Sequence, residues 1–371
     1  MRSGSGKLKR YAWLALAGAV AAVLACAPRT NAAPKGTAAA VADASEREAL
    51  CLSFVEAHLT ADDGGIRTNY LDKAPDAALA TGAQVLSESM GLLMRYAAAA
   101  GERALFERSL AFVEERLDTG EILSYRYSQK DGAYPVNAFL DDLRIIRALL
   151  EGYDAFGGEY QKTALEYAGR LYRTNVAGGR VYDYYDEHYG AGTESVTLCY
   201  LDLGTLRRLA ELDGRWQPVF DEMRTVALGG YLGDRFPMFA RSYTYADGAY
   251  ADRDIDTVQS LLTMLHLSEI GECPQSSVDF VRRLVERGTL YGAYDTGGGS
   301  IGQVESTAIY AISACIGRSE GDEELYRASM EQMERFQVLD RESEVYGAFA
   351  DAQTLELYAF DNLTALLAFR G

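Results

Sequence analysis

Apolar residues recur at helical spacing along most of this chain. From Ala44 onward, successive stretches place apolar side chains three and four residues apart, which is the pattern of a helix with one buried face. No long run of alternating apolar and polar residues competes with this spacing. We therefore predict an almost all-α protein with twelve helices, over residues 44–59, 82–101, 102–117, 137–156, 158–174, 196–213, 216–229, 254–271, 274–288, 302–318, 322–337 and 353–370.

The connections between these helices alternate in length. The short ones lie at residues 101, 156–158, 213–215, 271–273 and 319–321. The long ones lie at residues 64–81, 120–136, 178–194, 236–253, 288–301 and 336–352. A helical hairpin that recurs at intervals of roughly fifty to sixty residues is typical of stacked repeats. We predict that six such units close into an (α/α)6 barrel, a toroid of six inner and six outer helices.

The long connections carry the pattern of short β-hairpins. Ser124–Tyr127 and Arg241–Tyr245 alternate in polarity, and the turn signals Asp131-Gly132 and Asp247-Gly248 follow them. In the predicted barrel all these loops lie on one rim, at the N-termini of the inner helices. Loops on a rigid scaffold commonly carry the functional site, so we expect the site on this rim.

One acidic residue stands within an apolar helical run next to that rim. Glu88 shares its predicted helical face with Val85, Gly91 and Leu92, so its side chain should point into the protein. Burial favours the neutral form of a carboxyl group and raises its pKa towards the range that a general acid needs. Glu88 is therefore the first candidate for catalysis.

The second inner helix brings two more carboxylates to the rim. Asp142 shares a face with apolar residues such as Ile145, which predicts that it points inward like Glu88. Asp141 can pair with Arg144 three residues later, and we expect it to be half-exposed. Either residue could instead serve only as a first-turn acid that complements the helix dipole.

Acidic residues also stand at the starts of later inner helices. Asp254 heads an apolar stripe on the fourth inner helix, while Asp256 looks towards polar neighbours, and Glu194 occupies a similar start on the third. The alternative role for each is that of a helix cap. Several carboxylates around one cavity are costly through their mutual repulsion, which favours a functional role for the group.

Tyrosine is abundant, with 25 in the chain, and many lie in the rim loops, Tyr184 and Tyr243 among them. Part of this enrichment reflects the preference of tyrosine for strands. Aromatic faces and hydroxyl groups also suit the binding of sugar rings. Carboxylate pairs beside aromatic walls are the arrangement used in glycoside hydrolysis.

Composition narrows the alternatives. The formal charge of −18 disfavours nucleic acid and anionic membrane surfaces as partners. The cysteines lack the spacing of a zinc site, and the only histidines are His58, His188 and His266, which lie far apart in the sequence. We therefore expect chemistry based on carboxylates, with no metal and no cofactor, in a protein that acts as a monomer.

The first residues have the pattern of an export signal. A basic segment with Arg2 and Arg10 precedes an apolar run of about fifteen residues, which is short for a membrane span. Cys26 follows a small residue at the end of that run, as in bacterial lipoprotein signals. We predict a signal peptide over residues 1–25, lipidation of Cys26, a flexible tether over 26–43 and a folded domain over 44–371; ordinary cleavage nearby is the alternative. The mature protein would then be a cell-surface or periplasmic lipoprotein.

Two short segments resemble motifs of known glycosidases. Leu86-Ser87-Glu88-Ser89-Met90-Gly91 resembles the Ser-Glu-Gly-Gln-Gly segment of family 8 glycoside hydrolases, and Leu140-Asp141-Asp142-Leu143-Arg144-Ile145-Ile146 is similar to their Asp-Ala-Asp-x-x-Ile-Ala segment. The distant family 126 has the same (α/α)6 barrel. The first acid of the second motif falls on Leu140, so the contact to the sugar at the point of cleavage falls to Asp142 or Asp141.

The resemblance implies roles for several residues. Glu88 corresponds to the proton donor, and Asp254 is the best counterpart of the base, with Asp256 and Asp252 as alternatives. The expected activity is inverting hydrolysis of a β-linked glucan or an exopolysaccharide, or of an α-glucan as in family 126. The competing hypotheses are a glycan-binding lipoprotein without activity on the same scaffold, and another enzyme of this barrel class such as a lyase.

Overall fold

The computed structural model of this protein describes residues 43–71, 82–251 and 253–370. The predicted signal peptide, most of the tether, Cys26 and Asp252 lie outside these ranges. The described residues form twelve α-helices, which confirms the number expected from the sequence. They are α1 Ala44–Phe54, α2 Ser87–Ala100, α3 Arg103–Phe112, α4 Phe139–Phe156, α5 Tyr160–Asn175, α6 Leu203–Leu212, α7 Gln217–Gly229, α8 Thr257–Ser268, α9 Gln275–Arg287, α10 Thr307–Glu320, α11 Glu323–Glu334 and α12 Ala359–Arg370.

The helices pack in an order that matches an α/α-barrel. α2 contacts both α4 and α12, α10 contacts both α8 and α12, and α6 contacts both α4 and α8. Each of these helices except α12 also packs against a partner that is close in the sequence, such as α3 on α2, α5 on α4 and α11 on α10. Six helices therefore form a closed series of contacts, in which each one packs against the next: α2, α4, α6, α8, α10 and α12.

The short connections end their helices with glycine. Gly101 after α2 and Gly321 after α10 adopt φ values of 76° and 67°, in the left-handed region. Their N–H groups bond back to carbonyl groups in the last turn of the helix. Glycine adopts this conformation without steric cost, so the chain can turn within two residues into the next helix.

The long connections form the short antiparallel hairpins that the alternating segments predict. β2 Arg126–Ser128 pairs with β3 Gly132–Ala133, and β9 Ser242–Thr244 pairs with β10 Ala249–Tyr250. The other strands are β1 Val85–Leu86, β4 Val176–Ala177, β5 Arg180–Val181, β6 Tyr185–Asp186, β7 Ala191–Gly192, β8 Ser195–Thr197, β11 Ile255–Asp256 and β12 Ala293–Tyr294.

Before α2, α6 and α8, short strands take up residues that the sequence pattern assigns to the start of the helix. β1 pairs with β2 before α2, and β11 pairs with β12 before α8. β8 pairs with β9, and a 3₁₀ turn at Leu198–Tyr200 then leads towards α6. These pairings place the N-termini of the three helices against the rim hairpins. None of the helices in the described residues is both long and apolar enough to cross a membrane.

Candidate active site

The acid that the sequence places among apolar neighbours, Glu88, lies in the first turn of α2 rather than in the middle of a longer helix. Only 3% of its surface is exposed, and its Oε2 accepts a hydrogen bond of 2.8 Å from Nη1 of Arg144. Burial raises the pKa of Glu88 to about 7; Arg144 opposes this increase, while the charges of Asp141 and Asp361 add to it. A carboxyl group with such a pKa can hold a proton near neutral pH, as a general acid must.

Arg144 joins Glu88 to a second carboxylate. Its Nη1 also donates to Oδ1 of Asp141 at 2.7 Å, which confirms the pairing expected from their spacing. Asp141 is 3% exposed, so the expectation that it is half-exposed is wrong. Burial raises its pKa, against the opposing effects of Arg144 and of a hydrogen bond from Ser87. Two carboxyl groups thus face one guanidinium, and we call Glu88, Asp141 and Arg144 the acid cluster. Because one positive charge is shared by two carboxyl groups, the acid cluster binds a proton more readily than an isolated ion pair would.

A glycine brings the two helices of the acid cluster together. A Cβ on Gly91 of α2 would lie 2.8 Å from Cβ of Arg144 and 3.2 Å from the backbone nitrogen of Ile145 on α4. A contact of 2.8 Å is shorter than real Cβ atoms make with their neighbours, so any larger residue at this crossing would force the two helices apart. The close approach lets the Arg144 side chain reach the first turn of α2.

Asp142 is also 3% exposed but contacts different residues. Its Oδ2 accepts a hydrogen bond of 2.8 Å from Asn137, whose amide also donates to Asn175 at the end of the outer helix α5. Burial raises the pKa of Asp142 well above its usual range, against this hydrogen bond. The prediction that Asp142 points inward is confirmed by its burial. Adjacent residues on a helix point about 100° apart, and it is Asp141 that shares Arg144 with Glu88.

The start of α8 differs from the expectation that Asp254 heads its apolar face. Asp254 lies before β11, outside the helix, and is exposed. Asp256 is the N-cap of α8, and its Oδ1 accepts a hydrogen bond of 3.0 Å from the backbone N–H of Gln259. Burial raises the pKa of Asp256, while that N–H and Arg241 lower it. Asp256 is thus both a cap and a partly buried acid.

A buried acid that the sequence analysis did not select lies near Asp256. Asp183 accepts hydrogen bonds of 2.8 and 2.7 Å from the N–H and Oγ1 of Thr197. Burial raises its pKa to about 6, and Thr197 and Arg241 act in the opposite direction. Arg241 therefore interacts with both Asp183 and Asp256, which we call the second acid pair.

The charges of both groups of acids act on the 3₁₀ turn before α6. Burial raises the pKa of Cys199 well above its usual range; among charged groups, Asp183 and Asp256 raise it and Arg144 lowers it. The pKa of Tyr200 is raised by burial and then by Asp141, Asp183 and Glu88, among others. Because these effects require proximity, the acid cluster and the second acid pair share one electrostatic environment at the rim.

The remaining candidates differ in exposure. Tyr184 is 4% exposed and offers no open face to a sugar. Tyr243 is half-buried and packs against Tyr245 and Tyr250, with ring centroids 5.6 and 4.9 Å apart. Glu194 is exposed. Most of the rim tyrosine signal thus reflects packing beneath the loops.

Sequence reasoning missed the roles of Arg144, Asp183 and Arg241 in this environment. An arginine inside an apolar helix signals a buried partner, and that signal was available for Arg144. Asp183 gives no such signal, because Tyr182-Asp183-Tyr184 looks like an ordinary hairpin strand. In the part of the chain that the structure describes, one group of three potential metal ligands occurs, and its members are Asp202, His266 and Glu269.

Solved structures with the same arrangement of helices provide an independent comparison. The chain is 30% identical to a protein described as a novel alpha-amylase from Clostridium perfringens, with a TM-score of 0.82 over 87% of this chain and 96% of that one. It is 19% identical to PssZ from Listeria monocytogenes, with a TM-score of 0.67 over 92% and 98% of the two chains. It is 15% identical to the endoglucanase Cel10, a family 8 glycosyl hydrolase from Klebsiella pneumoniae, with a TM-score of 0.57 over 76% and 96%.

No protein-family model and no curated protein sequence matches the chain.

Proposed function

This chain belongs to the glycosidases that are similar to glycoside hydrolase families 8 and 126, and from this premise we propose its reaction. We propose that it hydrolyses a polysaccharide and that Glu88 is the proton donor. The observation that carries the proposal is the state of Glu88, a buried carboxyl group whose pKa is raised to about 7. A glycosidase needs such a group to protonate the departing glycosidic oxygen. We also infer that α2, α4, α6, α8, α10 and α12 form the inner ring of a six-fold toroid.

Arg144 acts through Glu88 and is a positioning residue. Its Nη1 lies 2.8 Å from Glu88 and 2.7 Å from Asp141, so one guanidinium fixes the direction of both carboxyl groups. The positive charge also limits how far burial can raise the pKa of Glu88. Asp141, with its negative charge, favours retention of the proton on Glu88 and is placed to contact the sugar at the point of cleavage.

For the base we propose an acid at the start of α8 that activates a water molecule on the opposite face of the sugar. Asp254 remains the choice that the resemblance favours, and its exposure gives it access to water. Asp256 is the alternative, because it shares its environment with Asp183 and Arg241. An acid and a base about 6.5–9.5 Å apart would give inversion at the anomeric carbon. Glu194 and Tyr243 are the proposed outer sugar contacts.

Two substrate classes compete. The 30% identical protein is described as an alpha-amylase, which favours an α-glucan. The motif resemblance to family 8 favours a β-linked glucan or an exopolysaccharide. In either case we propose an extracytoplasmic lipoprotein anchored through Cys26, because residues 1–26 have the pattern of a lipoprotein signal.

A glycan-binding protein without activity is the second candidate function. The observation in its favour is that Glu88 is only 3% exposed and is engaged by Arg144, so substrate must displace or reorient this contact before proton transfer.

A panel of α- and β-linked polysaccharides tests both functions. We expect the wild type to release reducing ends from at least one of them, and Glu88→Gln to lose this activity. Glu334→Gln is the matched control, because Glu334 also pairs with an arginine, Arg47, but lies on the outer helix α11. Binding of a polysaccharide without turnover by the wild type would favour the second candidate. The anomer released, followed by NMR, tests inversion.

A further inference from the structure

A cavity of about 570 Å³ lies at the opposite ends of the inner helices from the rim hairpins. The C-terminal halves of α2, α4, α8, α10 and α12 all line it, through residues such as Arg95, Glu151 and Ser319. Arg144 borders it from the side of the acid cluster. Three of its other lining residues are Asp202, His266 and Glu269.

These three side chains converge on one point of the cavity wall. Nδ1 of His266 lies 3.8 Å from Oδ1 of Asp202 and 3.8 Å from Oε2 of Glu269. One ligand atom from each residue lies within 4.8 Å of both others. His266 is 6% exposed, and within the described residues neither of its ring nitrogens has a hydrogen-bond partner. A buried imidazole with no hydrogen bond is costly, and a group bound between the three ligand atoms would give Nδ1 of His266 a partner.

Arg147 is the neighbour that a bound cation must tolerate. Its guanidinium donates to both oxygens of Glu269 at 2.7 Å, and its Nη1 lies 3.5 Å from Oδ1 of Asp202. It therefore holds both carboxylates in place. Each carboxylate oxygen has two lone pairs, so Oε2 can accept from Arg147 and still bind a cation. Oδ1 of Asp202 accepts from the N–H of Thr205 at 2.9 Å and from Nη1 of Arg147 at 3.5 Å, so a bound cation must replace the longer of these two bonds.

The local charge suits a divalent ion. Arg95 and Arg147 carry two positive charges, and Glu151, Asp202 and Glu269 carry three negative charges, all within one chain of ion pairs. With a neutral imidazole these five residues carry one net negative charge, and a divalent cation brings them to +1; Arg144, Arg318, Arg370 and Asp154 also line the cavity. A zinc ion held by two histidines and one glutamate has the same net charge.

We propose that Asp202, His266 and Glu269 bind a divalent transition-metal cation such as Zn²⁺ or Mn²⁺. Nitrogen and carboxylate ligands at about 2.0–2.2 Å from such an ion lie about 3.4 Å from one another at tetrahedral angles. Two of the present distances are 3.8 Å and all three lie within 4.8 Å, so the side chains must close by a few tenths of an ångström to about one ångström to complete the geometry. The adjoining cavity supplies an entry path and space for water ligands.

The proposal departs from the expectation, drawn from the scarcity of histidine, that no metal is bound. The fold brings together Asp202, the N-cap of α6, and two residues spaced three apart at the end of α8. The three ligands join the start of α6 to the end of α8, so we assign the site a structural role. The proposal does not depend on glycosidase activity.

The test is metal binding by the purified folded protein. We expect one Zn²⁺ per chain by isothermal titration calorimetry after treatment with a chelator, and a rise in Tm when Zn²⁺ is added. Mn²⁺ followed by electron paramagnetic resonance should report the same site, because Mn²⁺ prefers oxygen and nitrogen ligands over the thiols of the cysteines.

His266→Ala should weaken binding at least tenfold, and His266→Gln serves as a second variant that keeps most of the side-chain volume. The matched control is His188→Ala, which removes an exposed histidine and should leave binding unchanged. Circular dichroism confirms that each variant is folded. The proposal would be overturned if the wild type bound no stoichiometric Zn²⁺, or if the folded His266 variants bound Zn²⁺ as well as the wild type does. Loss of Zn²⁺ binding in His188→Ala alone would also overturn it.

Discussion

Replacing Arg144 by methionine should raise the pKa of Glu88, and with it the pH at which hydrolysis fails. In the wild type, Arg144 is the largest effect that opposes burial at Glu88. Methionine fills part of the same space but carries no charge. Without the cation, the anionic form of Glu88 is less stable, so Glu88 retains its proton to higher pH.

The magnitude follows from the contact distance. The N–O distance is 2.8 Å, which places the charge centres near 4 Å. At an effective dielectric constant of about 20 this attraction is worth about 4 kcal/mol, or about three pKa units. Arg144 divides its charge between Glu88 and Asp141, and water can enter the vacated space. We therefore expect an increase of at least about one unit from the wild-type value of about 7.

The assay is the pH dependence of kcat/KM on a polysaccharide that the wild type cleaves. Since a general acid must be protonated in the free enzyme, activity falls above its pKa. The fall on the alkaline side should begin at higher pH in Arg144→Met than in the wild type. Arg144→Lys keeps the charge and should keep this limb close to the wild-type position, with a lower kcat. The reasoning would be refuted if the alkaline side of the pH profile of Arg144→Met stayed in place or moved to lower pH. A general loss of structure cannot mimic the expected result, because it lowers the rate without moving the alkaline side to higher pH.

Three further predictions concern the same cluster. Above pH 7, the free energy of unfolding of Glu88→Gln should exceed that of the wild type by about 3 kcal/mol more than it does below about pH 4.5. The pKa of Glu88 is higher in the folded than in the unfolded protein, so the wild type loses stability as the pH rises between these values. Urea unfolding at both pH values measures this difference, and the same difference at both would contradict it. Gly91→Ala should lower Tm by several degrees and reduce activity, because the added methyl group clashes with α4. The control is Gly169→Ala, where no atom lies within 4 Å of the added Cβ and Tm should stay unchanged or rise. Equal effects of the two substitutions on Tm would argue against the close crossing of α2 and α4. Asp141→Asn should reduce kcat at least tenfold, while Asp142→Asn should retain activity and change mainly Tm. The reverse result would show that Asp142, and not Asp141, contacts the sugar at the point of cleavage.

The helices and the burial of Glu88 could be predicted because both depend on local pattern. Apolar spacing defines a helix wherever it buries one face, and an acid among apolar neighbours follows that face inward. The start of the helix could not be predicted in the same way. Val85–Leu86 become a strand only because Arg126–Tyr127 pair with them, and that partner is distant in the sequence.

The choice between Asp141 and Asp142 shows a second limit. Both residues lie in the first turn of α4, and both are buried. Which one faces Glu88 depends on the rotation of α4 about its axis, and the contact at Gly91 fixes that rotation. A single sequence specifies the turn of each helix but not how two helices cross, so the periodicity could not show that Asp141 is buried too and shares Arg144 with Glu88.

The site around Asp183 required tertiary structure altogether. Its partner Thr197 lies beyond the next hairpin, and Arg241 comes from a separate loop. The same is true of Asp202 and His266, which meet only because α6 packs against α8. Composition showed that histidines were few, but it could not show that one of them is buried between two carboxylates.

The central claim, that Glu88 donates the proton, is tested most directly by comparing two substrates of the same sugar in Glu88→Ala. A polysaccharide needs protonation of its leaving oxygen, whereas a glycosyl fluoride has a leaving group that departs without it. We expect hydrolysis of the polysaccharide to fall by about 10²–10⁴-fold, the usual contribution of a general acid, while hydrolysis of the fluoride stays close to the wild-type rate. Equal losses on both substrates, or an unchanged rate on the polysaccharide, would contradict the assignment.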